Sequence, residues 1–229
     1  KLNHDTTVLQ VEEEENLRLF AEYICIVPSQ EKADKVIRTI CGRFGAETLR
    51  IILEALASTD SSKGHMVYRM IVFGLRGGYK GQLIDCLSQE SVIKTVALST
   101  TVWHEIHHFY GFLRFQELAS GILYAKIKPK ANLLKFLGDH FADRFPLENF
   151  MIYDEAHDCW LMHEAGKEWF TVAGDLVQTD GLLTFSSDEW MIQELFCHFV
   201  NKIAIKEREN LALQQQMLPL RFRSNMIEV

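Results

Sequence analysis

Trp103-His104-Glu105-Ile106-His107-His108-Phe109-Tyr110-Gly111-Phe112-Leu113-Arg114-Phe115 is the stretch at which the periodicity of the chain changes. Upstream of it, apolar residues recur at helical spacing. Residues 11–24 carry an acidic run leading into Leu17, Phe20, Ala21 and Ile24, which predicts a short helix with acids in its first turn. Ser29 is placed to cap a second helix, in which Ala33, Val36, Ile37, Ile40, Cys41 and Phe44 keep the period until Gly45 stops it. Residues 46–58 repeat the pattern with Leu49, Ile52, Leu53 and Leu56; a polar loop at 59–64 and a further helix at 65–75 follow, with a break at Gly77 and Gly78. Val92, Val96, Val102, Trp103 and Ile106 then predict a long helix over about 89–108.

Downstream of Gly111 the period falls to two. Residues 111–118 and 122–129 are short runs joined by Ala119-Ser120-Gly121, and Leu123, Ala125 and Ile127 alternate with Tyr124, Lys126 and Lys128, as in a β-hairpin. Residues 132–145 return to helical spacing with Leu134, Phe136, Leu137 and Phe141. Residues 150–153, 159–164 and 169–172 are expected to be antiparallel strands, and 188–207 a last long helix with Trp190, Ile192, Leu195, Phe196 and Phe199 on its apolar side. Helices followed by strands without βαβ alternation imply an α+β fold: an N-terminal helical layer packed with an antiparallel β-sheet and a long C-terminal helix. One domain over 1–229 is expected, with the helical part at about 1–108 and the sheet-containing part at about 109–229.

The opening stretch also contains H-E-x-x-H, as His104, Glu105 and His108. Two His at i and i+4 lie on one helical face and can share Zn²⁺, with the Glu polarising a bound water, as in a zinc metalloprotease. Metzincins place a third His three residues after the Gly, where this chain has Arg114. A guanidinium offers donors only and cannot ligate a cation. The other zincin class takes a later Glu; none falls between Glu117 and Glu148, and Glu155 or Glu164 would have to serve. No metal site is therefore expected, and His104 and His108 are the pair the zinc alternative would use.

The chain has 229 residues, 48% hydrophobic and 24% charged, enough for a substantial core. No apolar run reaches membrane-spanning length, so no membrane partner is expected. Five cysteines (25, 41, 86, 159 and 197), odd in number and without a CxxC pair, fit reduced thiols and a cytoplasmic location. The net charge of −7 argues against a protein that coats nucleic acid generically. Its distribution is uneven: residues 114–145 carry a net of +3, residues 146–201 a net of −10, and residues 202–229 a net of +2. Two basic segments that met in space would form an anion-binding face. There is no glycine-rich phosphate loop, no G-x-S-x-G elbow and no internal repeat, and no cofactor is expected.

Several separated blocks together resemble a known family. They are Glu105-x-His107-His108-x-x-Gly111-Phe112-Leu113-Arg114-Phe115, Pro129, Asp139-His140-Phe141-Ala142-Asp143-Arg144-Phe145 and Ile152-Tyr153-Asp154-Glu155, followed by Ile203-Ala204-Ile205-Lys206-Glu207-Arg208-Glu209-Asn210 and Met217-Leu218-Pro219-Leu220-Arg221. In order and spacing they resemble the bacterial "probable DNA metabolism protein" family, built on domain of unknown function 4130, over about residues 27–228. The resemblance implies a protein of DNA metabolism or repair, paired with a radical-SAM protein; the same domain also occurs fused to a uracil-DNA-glycosylase-like domain. It brings no established reaction and no catalytic residue. Where the family usually has a basic residue after the E-x-H pair, this chain has His108, which makes the H-E-x-x-H match incidental.

Physical chemistry assigns candidate roles within those blocks. Arg114, Arg144, Arg208 and Arg221 suit phosphate through bidentate, charge-assisted hydrogen bonds, if they converge. His140 lies four residues before Arg144 on one helical face, where a titrating group beside a fixed cation suits a general acid or a phosphate ligand. His107 and Asp154 are the other catalytic candidates, and Asn210 could orient an arginine or meet a base edge. Phe115, Tyr124 and Trp169 could stack on bases, or belong to the core. The alternative reading of all these polar groups is a buried network holding helices onto a sheet. Two function classes follow: a nucleic-acid or nucleotide-phosphate binder working with the radical-SAM enzyme, or a non-catalytic adaptor for it. In the adaptor reading, the acidic segment 146–201 is the docking face.

Overall fold

Gly45 separates the first two helices because its backbone takes φ +87°, a conformation with little cost only for glycine. The helices on either side are α1 (Gln30–Phe44) and α2 (Ala46–Ala57), followed by α3 (Lys63–Arg76) and α4 (Glu90–Phe112). The computed structural model describes residues 3–10, 19–77, 82–177, 181, 183–223 and 226–227. It divides into two compact units, Lys1–Trp103 and His104–Val229.

In the first unit, Ile40, Phe44, Ile52, Ala55, Val67, Met70, Leu83, Val92 and Leu98 form one buried cluster. Within it the buried carboxylate of Glu54 accepts from Arg50 Nη1 and from Ser99 Oγ, both at 2.6 Å, which ties α2 to α4. The expected helix at 11–24 is not formed where the structure describes it: residues 21–24 are not helical, and residues 11–18 lie outside the described residues. Leu19, Phe20 and Ile24 are exposed, so no apolar burial repays the ordering of a helix there. Helix α4 runs to Phe112, past the expected end at 108.

The second unit is built on a five-stranded sheet in the order β1 (Gln116–Glu117), β2 (Leu123–Ile127), β3 (Phe150–Asp154), β4 (Cys159–His163), β5 (Phe170–Ala173). The α+β class holds, and the sheet is mixed where an antiparallel one was expected. Strands β2 and β3 are parallel, with Leu123 opposite Phe150 and Ile127 opposite Asp154; the remaining pairs are antiparallel. The reason lies in the segment between them: α5 (Leu134–Arg144) is the crossover that a parallel pair requires. One face of the sheet buries Leu118, Tyr124 and Trp160. Phe115 packs edge-on against Phe141, Phe145 and Phe150, at 5.4 to 5.6 Å between ring centroids.

Helix α6 (Ser187–Ile203) is the expected last long helix, and Ser186 Oγ caps it by accepting from the amide of Glu189. It ends at Ile203, earlier than 207, and the short helices α7 (Leu211–Met217) and α8 (Leu220–Arg223) follow. Its apolar residues Trp190, Ile192, Leu195, Phe199 and Ile203 are exposed, and among its described residues only Glu189 is buried. Among the described residues no helix is long and apolar enough to cross a membrane.

Candidate phosphate-binding site

Glu105 organises the second unit's polar centre. It points inward from α4, is 6% exposed, and accepts the backbone N–H of Lys130 at 2.9 Å and of Ala131 at 3.1 Å. Its Oε1 also accepts from Arg221 Nη1 at 2.8 Å. A buried carboxylate needs such donors, and this one is fully engaged. It is therefore not held ready to polarise a metal-bound water, as the H-E-x-x-H reading requires.

The two histidines of that motif have different surroundings. His104 is exposed, whereas the His108 ring stacks on Phe112 at 5.7 Å and tilts against Phe222 at 5.0 Å. His108 Nδ1 is buried and has no hydrogen-bond partner among the described residues. Burial, reinforced by the nearby Arg221 and His104, holds its pKa below the usual histidine value. Among the described residues no three His, Cys, Asp or Glu are grouped as a metal site.

Two of the predicted phosphate ligands come together. Arg114 and Arg221 line one pocket with Lys126 and Lys128, around Phe109, Phe112 and Phe222. Its enclosed space, about 10 Å³, takes one water-sized group, so a base or sugar would have to lie outside it. The cations are partly engaged already. Arg114 Nη1 donates to the carbonyls of Gly111 at 2.8 Å and Leu113 at 3.2 Å, closing the C-terminus of α4. The Glu155 carboxylate meets Lys126 Nζ at 2.6 Å and Lys128 Nζ at 3.4 Å, and the Lys126 hydrogen bond leads in lowering its pKa. The Arg221 guanidinium lies 4.5 Å from the Phe222 ring centre, a cation–π contact.

Arg144, Arg208 and Asn210 do not line this pocket. Arg144 ends α5 over the Phe145 ring at 5.7 Å, and Arg208 is exposed. Asn210 caps α7, its Oδ1 accepting from the amide of Leu213 at 3.0 Å. Lys126 and Lys128 were not singled out in the sequence, although the alternation through 124, 126 and 128 already put both on one side of the strand.

The catalytic candidates fall into two places. His107 and His140 both meet Tyr110: His140 stacks on it at 3.9 Å and His107 tilts against it at 5.8 Å. The Tyr110 hydroxyl donates to the Phe136 carbonyl at 3.2 Å. His140 Nε2 is buried without a partner among the described residues, and burial, then Arg144, lowers its pKa. Asp154 lies apart from this cluster in the sheet, fully buried at the end of β3. It accepts from the amides of Ala156 and His157, and it pairs with His157 Nδ1 at 2.7 Å. Burial raises its pKa against those contacts. Of the stacking candidates, Tyr124 is buried and Phe115 packs among phenylalanines, while the half-buried Trp169 lies with its indole over Gly138.

The sequence profile of a family described as "Domain of unknown function (DUF4130)" matches residues 61–228. The chain belongs to this family. The match begins after α2 and takes in α3, α4, the sheet and the pocket, so Glu105, Arg114, Lys126, Lys128 and Arg221 all lie within the family domain. No curated protein and no solved structure matches the chain.

Proposed function

We propose that this protein binds a phosphate of nucleic acid or of a nucleotide at the Arg114–Lys126–Lys128–Arg221 pocket, in bacterial DNA metabolism or repair. It works there with the radical-SAM enzyme that the family resemblance implies, in the cytoplasm. The observation that carries this reading is the meeting of basic residues from three separated segments around one small pocket. Cations gathered beside aromatic rings suit a phosphate oxygen, and the small enclosed space suits a backbone contact better than a buried base.

Fluorescence anisotropy of labelled single-stranded and duplex oligonucleotides, at two salt concentrations, tests it. Saturable binding that weakens with salt, is lost in Arg114→Ala and is weakened in Lys128→Ala, with folding intact, is the expected result. No binding at low salt would overturn it.

A non-catalytic adaptor is the second reading, favoured by the exposed apolar residues on α6, within the acidic segment 146–201. Contiguous exposed apolar side chains rimmed by charge mark protein contacts. In this reading Leu195→Asp and Phe199→Asp abolish co-elution with the radical-SAM protein and leave oligonucleotide binding unchanged.

A further inference from the structure

The first unit contains a second convergence of arginines, separate from the pocket above. Arg69 and Arg76 stand two turns apart on α3 and both reach Asp5: Arg76 Nη1 lies 2.6 Å and Arg69 Nη1 4.0 Å from its Oδ1. Residues 3–10 run along α3 as a strap. Arg69 Nη1 donates to the His4 carbonyl at 3.1 Å, the His4 ring lies 5.8 Å from that of Tyr68, and the Leu9 amide donates to His65 Nδ1 at 3.4 Å. The same two arginines line a cleft of about 350 Å³ with Val72, Phe73, Gln89 and Ser91.

We propose that this cleft is a binding site for a phosphorylated small molecule of nucleotide size, and that the Asp5 carboxylate occupies its anion position when no ligand is bound. Arg76 donates to the Asp5 carboxylate while Arg69, held on the His4 carbonyl, lies 4.0 Å from the same oxygen, and two such guanidiniums match the several oxygens of a phosphate better than the two of a carboxylate. Apolar Val72 and Phe73 and polar Gln89 and Ser91 also line the cleft, and its size is that of small-molecule pockets. An apolar wall with a few convergent polar groups suits the ring and hydroxyls of a nucleoside. The strap is built to let go: Asp5, Arg69 and Arg76 are solvent-exposed, and exposed ion pairs are weak and readily exchanged. Both arginines lie within the family domain and Asp5 lies before it, so the anion site and its latch belong to different parts of the chain.

Isothermal titration of the full chain with AMP, inorganic phosphate and adenosine tests this. AMP is expected to bind more tightly than phosphate, and adenosine to show no binding. Asp5→Ala is expected to tighten AMP by roughly tenfold, because a latch closed about nine tenths of the time lowers the apparent affinity by that factor. Arg76→Ala is expected to abolish AMP binding at this cleft. If circular dichroism shows that variant unfolded, Arg69→Ala and Arg76→Lys take its place, each expected to weaken AMP. Equal affinity in the wild type and Asp5→Ala would overturn the proposal, as would wild-type affinity in the folded arginine variants or the absence of binding in Asp5→Ala. Repeating the titrations in an Arg114→Ala background, which removes the anion site of the second unit, separates the two: the AMP binding that remains should keep its dependence on Asp5 and Arg76.

Discussion

Arg221 reaches across 116 positions of sequence to place its Nη1 2.8 Å from Oε1 of Glu105. The same carboxylate accepts the amides of Lys130 and Ala131, so α4, the segment after β2 and α8 meet at one buried charge. One side chain in the centre of an H-E-x-x-H string thus acts as a structural acceptor, and the arginine that satisfies it also lines the basic pocket with Arg114, Lys126 and Lys128.

Removing that acceptor should be costly. Glu105→Ala leaves two backbone N–H groups without their acceptor and is expected to lower unfolding free energy by about 3 kcal/mol. Arg221→Ala should cost less, about 1 kcal/mol, because the arginine side chain is 37% exposed and the carboxylate keeps both amides. Urea denaturation of the two variants checks the order, and equal midpoints for wild type and Glu105→Ala would contradict the role given to Glu105.

Lys128 is the cleanest probe of the pocket's charge, since its side chain is 68% exposed and its Glu155 contact is long, at 3.4 Å. Lys128→Ala should reduce the slope of log affinity against log salt by about 0.7 for a single-stranded oligonucleotide, the loss of one phosphate contact. Folding stability should be unchanged. An unaltered slope would place the phosphate elsewhere.

Half-buried histidines with a buried ring nitrogen, unpartnered among the described residues, make the fold sensitive to acid. Burial lowers the pKa of His108 and His140 in the folded state, so below the ordinary value of 6.5 the unfolded chain binds protons that the folded chain does not. Stability is therefore full above that pH, falls as pH drops through it, and levels off below the folded-state pKa values. His108→Phe places an apolar ring among Phe112 and Phe222 and removes the unpartnered Nδ1. It should be neutral or stabilising at pH 7 and should flatten the acid decline. Denaturation midpoints at several pH values decide this, and a decline as steep as in the wild type would count against it.

Gly138 has no room for a side chain, because a Cβ there would overlap the indole of Trp169. Trp169 is held in place by its Nε1 donating to Asp139 Oδ1 at 2.7 Å. Gly138→Ala should destabilise by about 2 kcal/mol despite alanine's better helix propensity, since overpacking outweighs a gain of up to about 1 kcal/mol. A thermal midpoint at or above that of the wild type would refute the close approach.

The helices were legible because their signals are local: the Ser29 and Gly45 boundaries enclose α1, and the apolar spacing of 46–58 predicts α2. The strands at 150–154, 159–163 and 170–173 were legible for the same reason. Pairing direction was not. Residues 132–145 were recognised as helical, but whether that helix returns the chain parallel or antiparallel to β2 depends on where it packs. The site was legible in part. Arg114 and Arg221 stood out as arginines in motif blocks, while Lys126 and Lys128 looked like one charged side of a hairpin strand.

By itself the sequence determined the α+β class, the family and the positions of most elements, because periodicity, caps and motif spacing are properties of neighbours along the chain. Only the tertiary structure decided that Glu105 accepts hydrogen bonds in the core, that Arg221 and not Arg144 joins Arg114, and that Asp5 meets Arg69 and Arg76. Those partners are separated by tens of residues. Their meeting is set by burial and hydrogen-bond satisfaction across the fold, which no local pattern records.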